Sequence, residues 1–393
     1  MNSTELLSIV EYALISTFIC CAILLICGIR HSCTKKLQLG DITAAIILVF
    51  LSGSRYEVGS DYTRYLQSAR FAASRFADLR TLFNMEVLNR YSYEIGFEAM
   101  SVLVSRLTRN QYAIFWVVAI ILYVPFIYYC RKRTCDSYAA LAIFLLFGFW
   151  GLSLNIMKQA IAMMLVVCIF EFIKRKQYIF ALLFALVSVS FHTTSIVAII
   201  AIIVIHHLQR KLLIPTKKNL NRMIIIGIIA RFGTSIIMLL LSRISIFSKY
   251  ILYLDSENAR INRSFIWVGA LTETAIVYLI LRLAIGHLDE LKKRDKHIGE
   301  IISIIMIGLP LSIVGISRQL WLANRFAKFF FLFLIILVPA MMGKFSDANS
   351  NRRYIFPQKT RIAFWSSMII WHMIYSVFML DNNFFKISTY LFQ

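Results

Sequence analysis

The stretch RYEVGSDYTRY (Arg55–Tyr65) opens a polar segment that runs to Glu94 and interrupts an otherwise apolar chain. Between Arg55 and Glu94 this segment carries six arginines and no lysine. Long apolar stretches lie on both sides of it, which predicts a loop held between helices of a membrane protein. Guanidinium groups gathered in such a loop, together with carboxylates and tyrosines, indicate contact with an anion at the bilayer surface.

The composition excludes a soluble protein. Hydrophobic residues make up 59% of the 393 residues, charged residues only 16%, and the mean hydropathy is +0.72. Lipid offers no hydrogen-bond partner to an open backbone, so we predict an all-α polytopic membrane protein. The net charge of +22 does not indicate a nucleic-acid partner, because the basic residues are spread along the ends of the apolar stretches.

The apolar stretches predict about twelve spans with both termini outside, of which one or two could be broken or re-entrant. We place the spans at 6–28, 41–54, 111–130, 137–152, 155–173, 177–191, 193–207, 222–241, 265–285, 298–316, 325–343 and 362–380. With this assignment the lysines concentrate in the loops of one side, which the positive-inside rule assigns to the cytoplasm.

One apolar segment, 94–107, is not assigned as a span. If it crossed the membrane, the RKR run (Arg131–Arg133) would lie outside, against the positive-inside rule. We therefore predict a helix at the outer surface, within an early outer loop at 55–110 that carries short helices. The sequence shows no separate soluble domain and its linkers are short, so we predict a single integral membrane domain over 1–393.

The outer loops differ in composition from the inner loops, because nearly all their positive residues are arginines. Guanidinium binds phosphate through two parallel hydrogen bonds, whereas lysine acts as a hydrated point charge. Some of these arginines would simply cover a solvated loop. The remainder predict an anion-binding function on the outer face.

Five segments place ionisable or phenolic side chains at the outer ends of predicted helices. Charges at the edge of lipid usually pair or line a cavity, so each is a candidate functional residue. The alternatives are a surface ion pair for Arg55, a lysine snorkelling to the headgroups, and a histidine that satisfies a helix end. The candidates are Arg55 with Asp61, Tyr62 and Tyr65; Glu94 in YEIGF; Lys158 in NIMKQAIAM; His192 in SFHTTS; and Arg318 and Arg325 around LWLAN.

The order of these motifs resembles the EpsG/Wzy family of polysaccharide polymerases over roughly residues 50 to 340. The pattern is an arginine, G-x-D-Y-x-x-Y, E-x-G-F, a basic residue before Q-A-I-A, F-H-x-T/S, and N-R near a late span. One position departs from the family, because Lys158 stands where an arginine is usual. The positive charge is kept, but the bidentate fork is lost.

The resemblance implies a GT-C-like membrane glycosyltransferase of lipopolysaccharide or exopolysaccharide biosynthesis. It implies a multi-pass protein of the bacterial inner membrane with its active face in the periplasm. Such an enzyme moves the growing glycan from undecaprenyl pyrophosphate onto the next lipid-linked repeat unit. Its expected partners are these lipid-linked oligosaccharides, membrane lipid, and possible chain-length regulator and flippase proteins.

The site residues divide into candidate bases and binding residues. A sugar hydroxyl needs a general base, and His192, Asp61 and Glu94 are the candidates, with His192 favoured because free imidazole titrates near neutrality. A DxD pair is absent from the outer loops, so we expect neither a metal nor another cofactor. The residues predicted to bind pyrophosphate or glycan are Arg55, Tyr62, Tyr65, Lys158, Arg318 and Arg325.

Three other functions remain open from the sequence, and one of them, a non-enzymatic membrane sensor, would leave the excess of arginine in the outer loops unexplained. A lipid-linked oligosaccharide flippase or other transporter would carry polar residues near mid-membrane, whereas the ionisable residues here lie toward one face. An O-antigen ligase would use the same donor, but we expect a large late outer loop in a ligase, and here the largest outer loop is early.

Overall fold

The computed structural model describes residues 3–28, 36–59, 61–75, 94–134, 136–233, 266–316, 321–343, 345–346 and 352–380. These residues are helical apart from turns, connecting segments and a two-residue antiparallel pair, β1 (Phe345–Ser346) with β2 (Arg352–Arg353). The prediction of an all-α protein is confirmed. A GT-C-like arrangement of the helices stays a prediction.

The helices are numbered here in chain order. They are α1 (Ser3–Gly28), α2 (Leu39–Gly53), α3 (Tyr62–Arg75), α4 (Ile95–Leu107), α5 (Ala113–Arg133), α6 (Ser137–Leu146), α7 (Phe149–Asn155), α8 (Met157–Lys174), α9 (Tyr178–Phe191), α10 (Ser195–Leu212), α11 (Lys217–Phe232), α12 (Ile266–Gly286), α13 (Leu288–Arg294), α14 (Ile298–Gly315), α15 (Trp321–Phe331), α16 (Leu334–Met342) and α17 (Gln358–Leu380).

The chain divides into two compact units. Unit 1 comprises Met1–Ile196 and Gln358–Gln393, and unit 2 comprises Val197–Pro357. Helices α1 to α9 and α17 belong to unit 1, α10 begins in unit 1 and continues in unit 2, and α11 to α16 belong to unit 2. The single domain over 1–393 stays a prediction.

A break at Gly148 shapes the centre of unit 1. Asp136 caps the start of α6 by accepting hydrogen bonds from the Tyr138 and Ala139 amides. Gly148 then adopts φ +86°, and a Cβ there would lie 2.4 Å from the Tyr375 ring. Only glycine fits both demands, so α6 ends and α7 leaves at 57° to it. The predicted span 137–152 is therefore a bent pair that extends to Asn155.

Unit 2 is held by close helix contacts. A Cβ at Gly315 would lie 2.4 Å from the Asn324 amide, so glycine lets α14 and α15 approach closely. Glu273 on α12 and Lys328 on α15 form an ion pair that is almost completely buried. The predicted span 325–343 is also a bent pair, because α15 and α16 meet at 43°.

The helices match a membrane protein in length and surface. Three helices are long and apolar enough to span a bilayer (Ala113–Arg133, Val268–Gly286 and Ile298–Gly315), and the two bent pairs raise the number to as many as five among the described residues. Shorter apolar helices include Leu39–Gly53 and Tyr178–Phe191. The total of twelve spans stays a prediction, as does the outer side of the early loop.

Helix α9 presents an apolar face that no described part of its own unit covers. Ile179, Leu182 and Leu186 are 76%, 62% and 61% exposed. A soluble surface rarely presents such a continuous apolar face, whereas lipid covers it at no cost in unpaired polar groups. This surface and the apolar helices identify a membrane protein.

The structure confirms that 94–107 is helical, as α4 (Ile95–Leu107), and its outer position can be tested by labelling. Arg109, just beyond α4, is exposed, and Lys132 lies in the last turn of α5 with a partly exposed side chain. We expect an Arg109→Cys variant to react with a membrane-impermeant thiol reagent added to spheroplasts, and a Lys132→Cys variant to stay unreactive until the membrane is permeabilised.

The parent protein, which keeps its own cysteines, supplies the background for both variants. Labelling of residue 132 but not of residue 109 in sealed spheroplasts would show the opposite orientation to the predicted one.

Candidate functional site

The candidate site of unit 1 is built around the junction between α7 and α8. Asn155 ends α7, Ile156 adopts φ −106° and ψ 58°, and Met157 begins α8. The N-cap residue, Ile156, makes no side-chain hydrogen bond to the first amides of α8. Three residues of this junction, Asn155, Met157 and Lys158, each contact one of the residues predicted from the sequence.

The most polar part of the site is a contact between Glu94, His192 and Lys158. His192 Nδ1 lies 2.8 Å from Glu94 Oε1, and the Thr193 amide donates to the same oxygen at 3.3 Å. Lys158 Nζ lies 3.8 Å from Glu94 Oε2. The Glu94 side chain is 8% exposed, while His192 and Lys158 keep 18% and 19%. A carboxylate that is nearly buried therefore joins two partly accessible groups.

The direction of the histidine hydrogen bond follows from its partner. An ionised carboxylate can only accept, so Nδ1 of His192 carries the hydrogen and donates it to Glu94. The neutral imidazole then keeps its lone pair on Nε2. The contact fixes the ring orientation and leaves Nε2 as the basic atom.

A glycine allows this contact to form. Gly96, in the first turn of α4, packs against the end of α9, where an added Cβ would lie 2.6 Å from Ser190 Oγ and 2.9 Å from the Ser190 carbonyl carbon. Glu94 precedes α4 and His192 follows α9, so the close approach of the two helices brings these side chains together. The YEIGF motif thus requires its glycine for packing.

We expect Gly96→Ala to destabilise the protein by about 1–3 kcal/mol, as overpacking does, and to reduce activity by separating Glu94 from His192. Thermal unfolding and an activity assay measure the two effects. Ser190→Gly should restore only part of the loss, because the Ser190 backbone also lies within 3.0 Å of the new Cβ. Wild-type stability and activity in Gly96→Ala would contradict this account of the packing.

Arg55 is buried beside the same junction, with 4% exposure. Its guanidinium donates to the Ser52 carbonyl at 3.3 Å and lies 2.8 Å from Met157 Sδ. It also sits over the Phe115 ring, 4.6 Å from the centroid. A surface ion pair, the alternative considered for Arg55, does not fit this burial.

Tyr62 shares Phe115 with Arg55. The two rings of Tyr62 and Phe115 are stacked, with centroids 4.6 Å apart and an angle of 11°. Burial, as the largest cause, raises the pKa of Tyr62 to about 12. Tyr62 is therefore a neutral phenol near pH 7 and serves as a packing or hydrogen-bonding group, not as a base.

Asp61 reaches the junction through its backbone. Its amide donates to Asn155 Oδ1 at 3.2 Å, and its side chain is partly exposed. The preceding turn depends on Gly59, which adopts φ +101°, and a Cβ there would lie 3.1 Å from the Leu154 carbonyl oxygen. Gly59 and Asp61 of the GSDYTRY motif therefore pack against the end of α7.

Tyr65 connects to the polar contact through an aromatic ring. The centroids of Tyr65 and Phe97 are 5.2 Å apart, and Lys158 Nζ lies 4.9 Å from the centroid of Phe97. On the same two helices, the Ser68 hydroxyl of α3 donates to the carboxylate of the fully buried Glu98 of α4 at 2.7 Å. These contacts fasten α3 to α4.

The structure thus brings seven of the nine predicted site residues into one contiguous cluster in unit 1. These are Arg55, Asp61, Tyr62, Tyr65, Glu94, Lys158 and His192. Arg325 is a half-buried residue of α15 in unit 2, and Arg318 lies outside the described residues. Their roles stay predictions.

Sequence reasoning missed the residues that position this cluster. Asn155 and Met157 belong to NIMKQAIAM, but only its charged residue was singled out. Glu98 follows Glu94 by four positions, which would place both on one helix face. That spacing was the available signal.

Comparisons with curated proteins and with solved structures find no match. A family model does match, over residues 41–392, and this range includes every residue of the cluster. The match spans most of the sequence, so the chain belongs to the EpsG family.

Proposed function

We propose that the protein is a polysaccharide polymerase that extends a glycan carried on undecaprenyl pyrophosphate at the periplasmic face of the bacterial inner membrane. The chain belongs to the EpsG family, and one observation in its structure supports this proposal. A buried carboxylate orients a histidine, and a buried arginine contacts the first residue of α8, a helix whose N-cap residue makes no side-chain cap. Base and anion-binding groups are the two requirements of glycosyl transfer from a pyrophosphate.

In the proposed reaction, Nε2 of His192 takes the proton of an acceptor sugar hydroxyl. The hydroxyl oxygen forms a bond to the anomeric carbon of the growing glycan. The bond from that carbon to the pyrophosphate oxygen breaks, and undecaprenyl pyrophosphate leaves with the electron pair. Glu94 holds the imidazole and stabilises the imidazolium that forms, as the third member of a catalytic triad does.

The leaving pyrophosphate would bind at the start of α8. Helix N-termini carry unpaired amides and a partial positive charge, which favour phosphate groups. Arg55 contacts Met157, the first residue of α8, and so places its guanidinium at this end of the helix. Its charge would offset the negative charge that develops on the leaving oxygen.

Lys158 has a second role in this proposal. In the family an arginine is usual at its position, and a direct phosphate contact would suit the arginine fork. Here Lys158 pairs with Glu94 at 3.8 Å. We infer that it balances the charge of Glu94 and so positions His192, while its remaining donors face the substrate.

One experiment distinguishes the proposed polymerase from the two alternative functions, a flippase and a ligase. A deletion strain is complemented with the wild type, His192→Gln or Arg55→Ala, and the lipid-linked glycans and lipopolysaccharide are analysed by gel. A polymerase defect leaves single repeat units on the outer face. Accumulation of these units inside would indicate a flippase, and full-length polymer that stays on undecaprenyl pyrophosphate would indicate a ligase.

A further inference from the structure

Unit 2 holds a cluster of two histidines and a glutamate that the proposed glycosyl transfer does not use. His206 Nδ1 lies 2.8 Å from Glu300 Oε2, and His297 Nδ1 lies 2.8 Å from Glu300 Oε1. The rings of His206 and His297 are stacked, with centroids 6.2 Å apart. Each imidazole therefore contacts one oxygen of the same carboxylate.

Two secondary-structure elements fix the three side chains. His297 precedes α14, Glu300 lies in its first turn, and the His297 amide is held by Asp295 Oδ1 at 2.8 Å. His206 comes from α10, more than ninety residues earlier in the chain. This distance in sequence explains why no metal-ligand spacing is visible in the sequence.

We propose that His206, His297 and Glu300 form a binding site for a divalent metal ion of the zinc class. One ligand atom from each of the three residues lies within 4.8 Å of the other two. Tetrahedral zinc with bonds of about 2.0–2.1 Å separates its ligand atoms by roughly 3.3 Å. Small side-chain rotations would therefore close the cluster around an ion.

The ligand types select the metal. Two imidazoles and one carboxylate suit zinc and cobalt, whereas magnesium and calcium prefer oxygen ligands alone. Three protein ligands leave a fourth position for water. If the Nδ1 atom of each imidazole binds the ion, the hydrogen of that Nδ1 moves to Nε2 of the same ring through solvent. Both imidazoles then stay neutral, and Glu300 supplies the only negative charge among the three ligands.

The groups around the cluster lower its affinity for a cation but do not abolish binding. The start of α14 carries a partial positive charge, an effect worth about two- to fivefold in the affinity of a nearby ion. Lys292, Lys293 and Lys296 are near in sequence, but their side chains are exposed and their charges are screened by solvent. The side chains of the three ligands are only 15–18% exposed, so their bonds to an ion would be screened less.

Such a site would tie α10 to α14 at the lysine-rich end of unit 2, which the positive-inside rule assigns to the cytoplasm. Binding of the ion to the folded state alone would raise the thermal midpoint of the protein. The site is independent of the proposed glycosyl transfer and is tested separately from it.

The test uses the full chain purified in detergent with an affinity tag that contains no histidine. After chelation and dialysis, Zn²⁺ is titrated against a chromophoric chelator, and Co²⁺ is added to record its visible spectrum. We expect one ion per wild-type chain, a tetrahedral cobalt spectrum and a higher melting temperature with zinc. Glu300→Gln and His206→Asn should each bind at least about 100-fold more weakly.

The matched control is His207→Asn. His207 neighbours His206 and contacts its ring, but it is exposed and outside the cluster. It should retain wild-type affinity. Failure of the wild type to bind, unchanged binding by Glu300→Gln, or an equal loss in His207→Asn would each overturn the proposal.

A measurement on the wild type alone tests the metal site without relying on variants, which could fail to fold. Diethyl pyrocarbonate modifies accessible histidines, and mass spectrometry locates the modified residues. Zinc should protect His206 and His297 and leave His207 reactive. Equal modification of all three with and without zinc would show that the cluster is only a hydrogen-bonded triad, which contradicts the metal site.

Discussion

His192→Gln should lower the rate of polymerisation about 10²–10⁴-fold, the usual contribution of a general base. The hydrogen bond from Nδ1 to Glu94, at 2.8 Å, leaves Nε2 as the atom that can accept a proton. Glutamine keeps a polar side chain of similar reach but is not basic. The measurement is turnover of a purified lipid-linked repeat unit in detergent, with thermal unfolding to confirm that the variant is folded.

The partners of His192 provide graded comparisons in the same assay. Glu94→Gln should lose less activity than His192→Gln, because the amide oxygen can still accept the Nδ1 hydrogen. Asp61→Asn should lose least of the three, because the structure holds this residue through its backbone amide at Asn155. His207→Gln, a change in an exposed histidine of unit 2, should keep wild-type turnover.

The same series decides between histidine and carboxylate. With histidine as the base, the His192→Gln variant should also lose the acidic limb of the wild-type pH–rate profile. If His192→Gln turns over normally while Glu94→Gln or Asp61→Asn does not, a carboxylate is the base. His192 would then be a residue that satisfies the end of α9.

The membrane class and most of the cluster were predictable from the sequence. Hydropathy alone identifies helices, because lipid admits no open backbone. The positive-inside rule predicted Arg55, Glu94, Lys158 and His192 on one side of the membrane, and the structure brings these four residues into one cluster. Sidedness was thus enough to group residues that are distant in sequence.

The details of the backbone were not predictable. The break at Gly148 depends on the Tyr375 ring, which reaches it from more than two hundred residues away. The approach of α4 to α9 depends on how Gly96 meets Ser190. Both are tertiary contacts, and hydropathy carries no information about them.

Charged residues stand out in a sequence more clearly than the groups that hold them. The sequence predicts Arg55 beside Asp61, whereas the described contacts of Arg55 include Ser52, Met157 and Phe115. Methionines, aromatic rings and backbone carbonyls are common in any membrane protein, so the sequence does not single out the ones that contact Arg55. Their role is visible only when the fold brings them to the guanidinium.

The second large effect concerns Arg55. Arg55→Ala should reduce polymerisation about 10²–10³-fold, comparable to the loss of one preorganised donor to a developing negative charge. Arg55→Lys should recover little of this, because lysine keeps the charge but cannot reproduce the planar fork or its stacking on Phe115. Substrate turnover and membrane protein level are measured for both variants.

Arg70→Ala is the matched control, because Arg70 lies on α3 within the same arginine-rich segment and its side chain is exposed. It should retain most of the activity. The prediction extends to Arg318 and Arg325, where alanine should also abolish the polymer ladder if these residues bind pyrophosphate. Full ladders from Arg55→Ala, Arg318→Ala and Arg325→Ala would remove the arginines from the leaving-group site. The positive end of α8 and Lys158 would then have to stabilise the pyrophosphate, and Lys158→Ala should become the most damaging change.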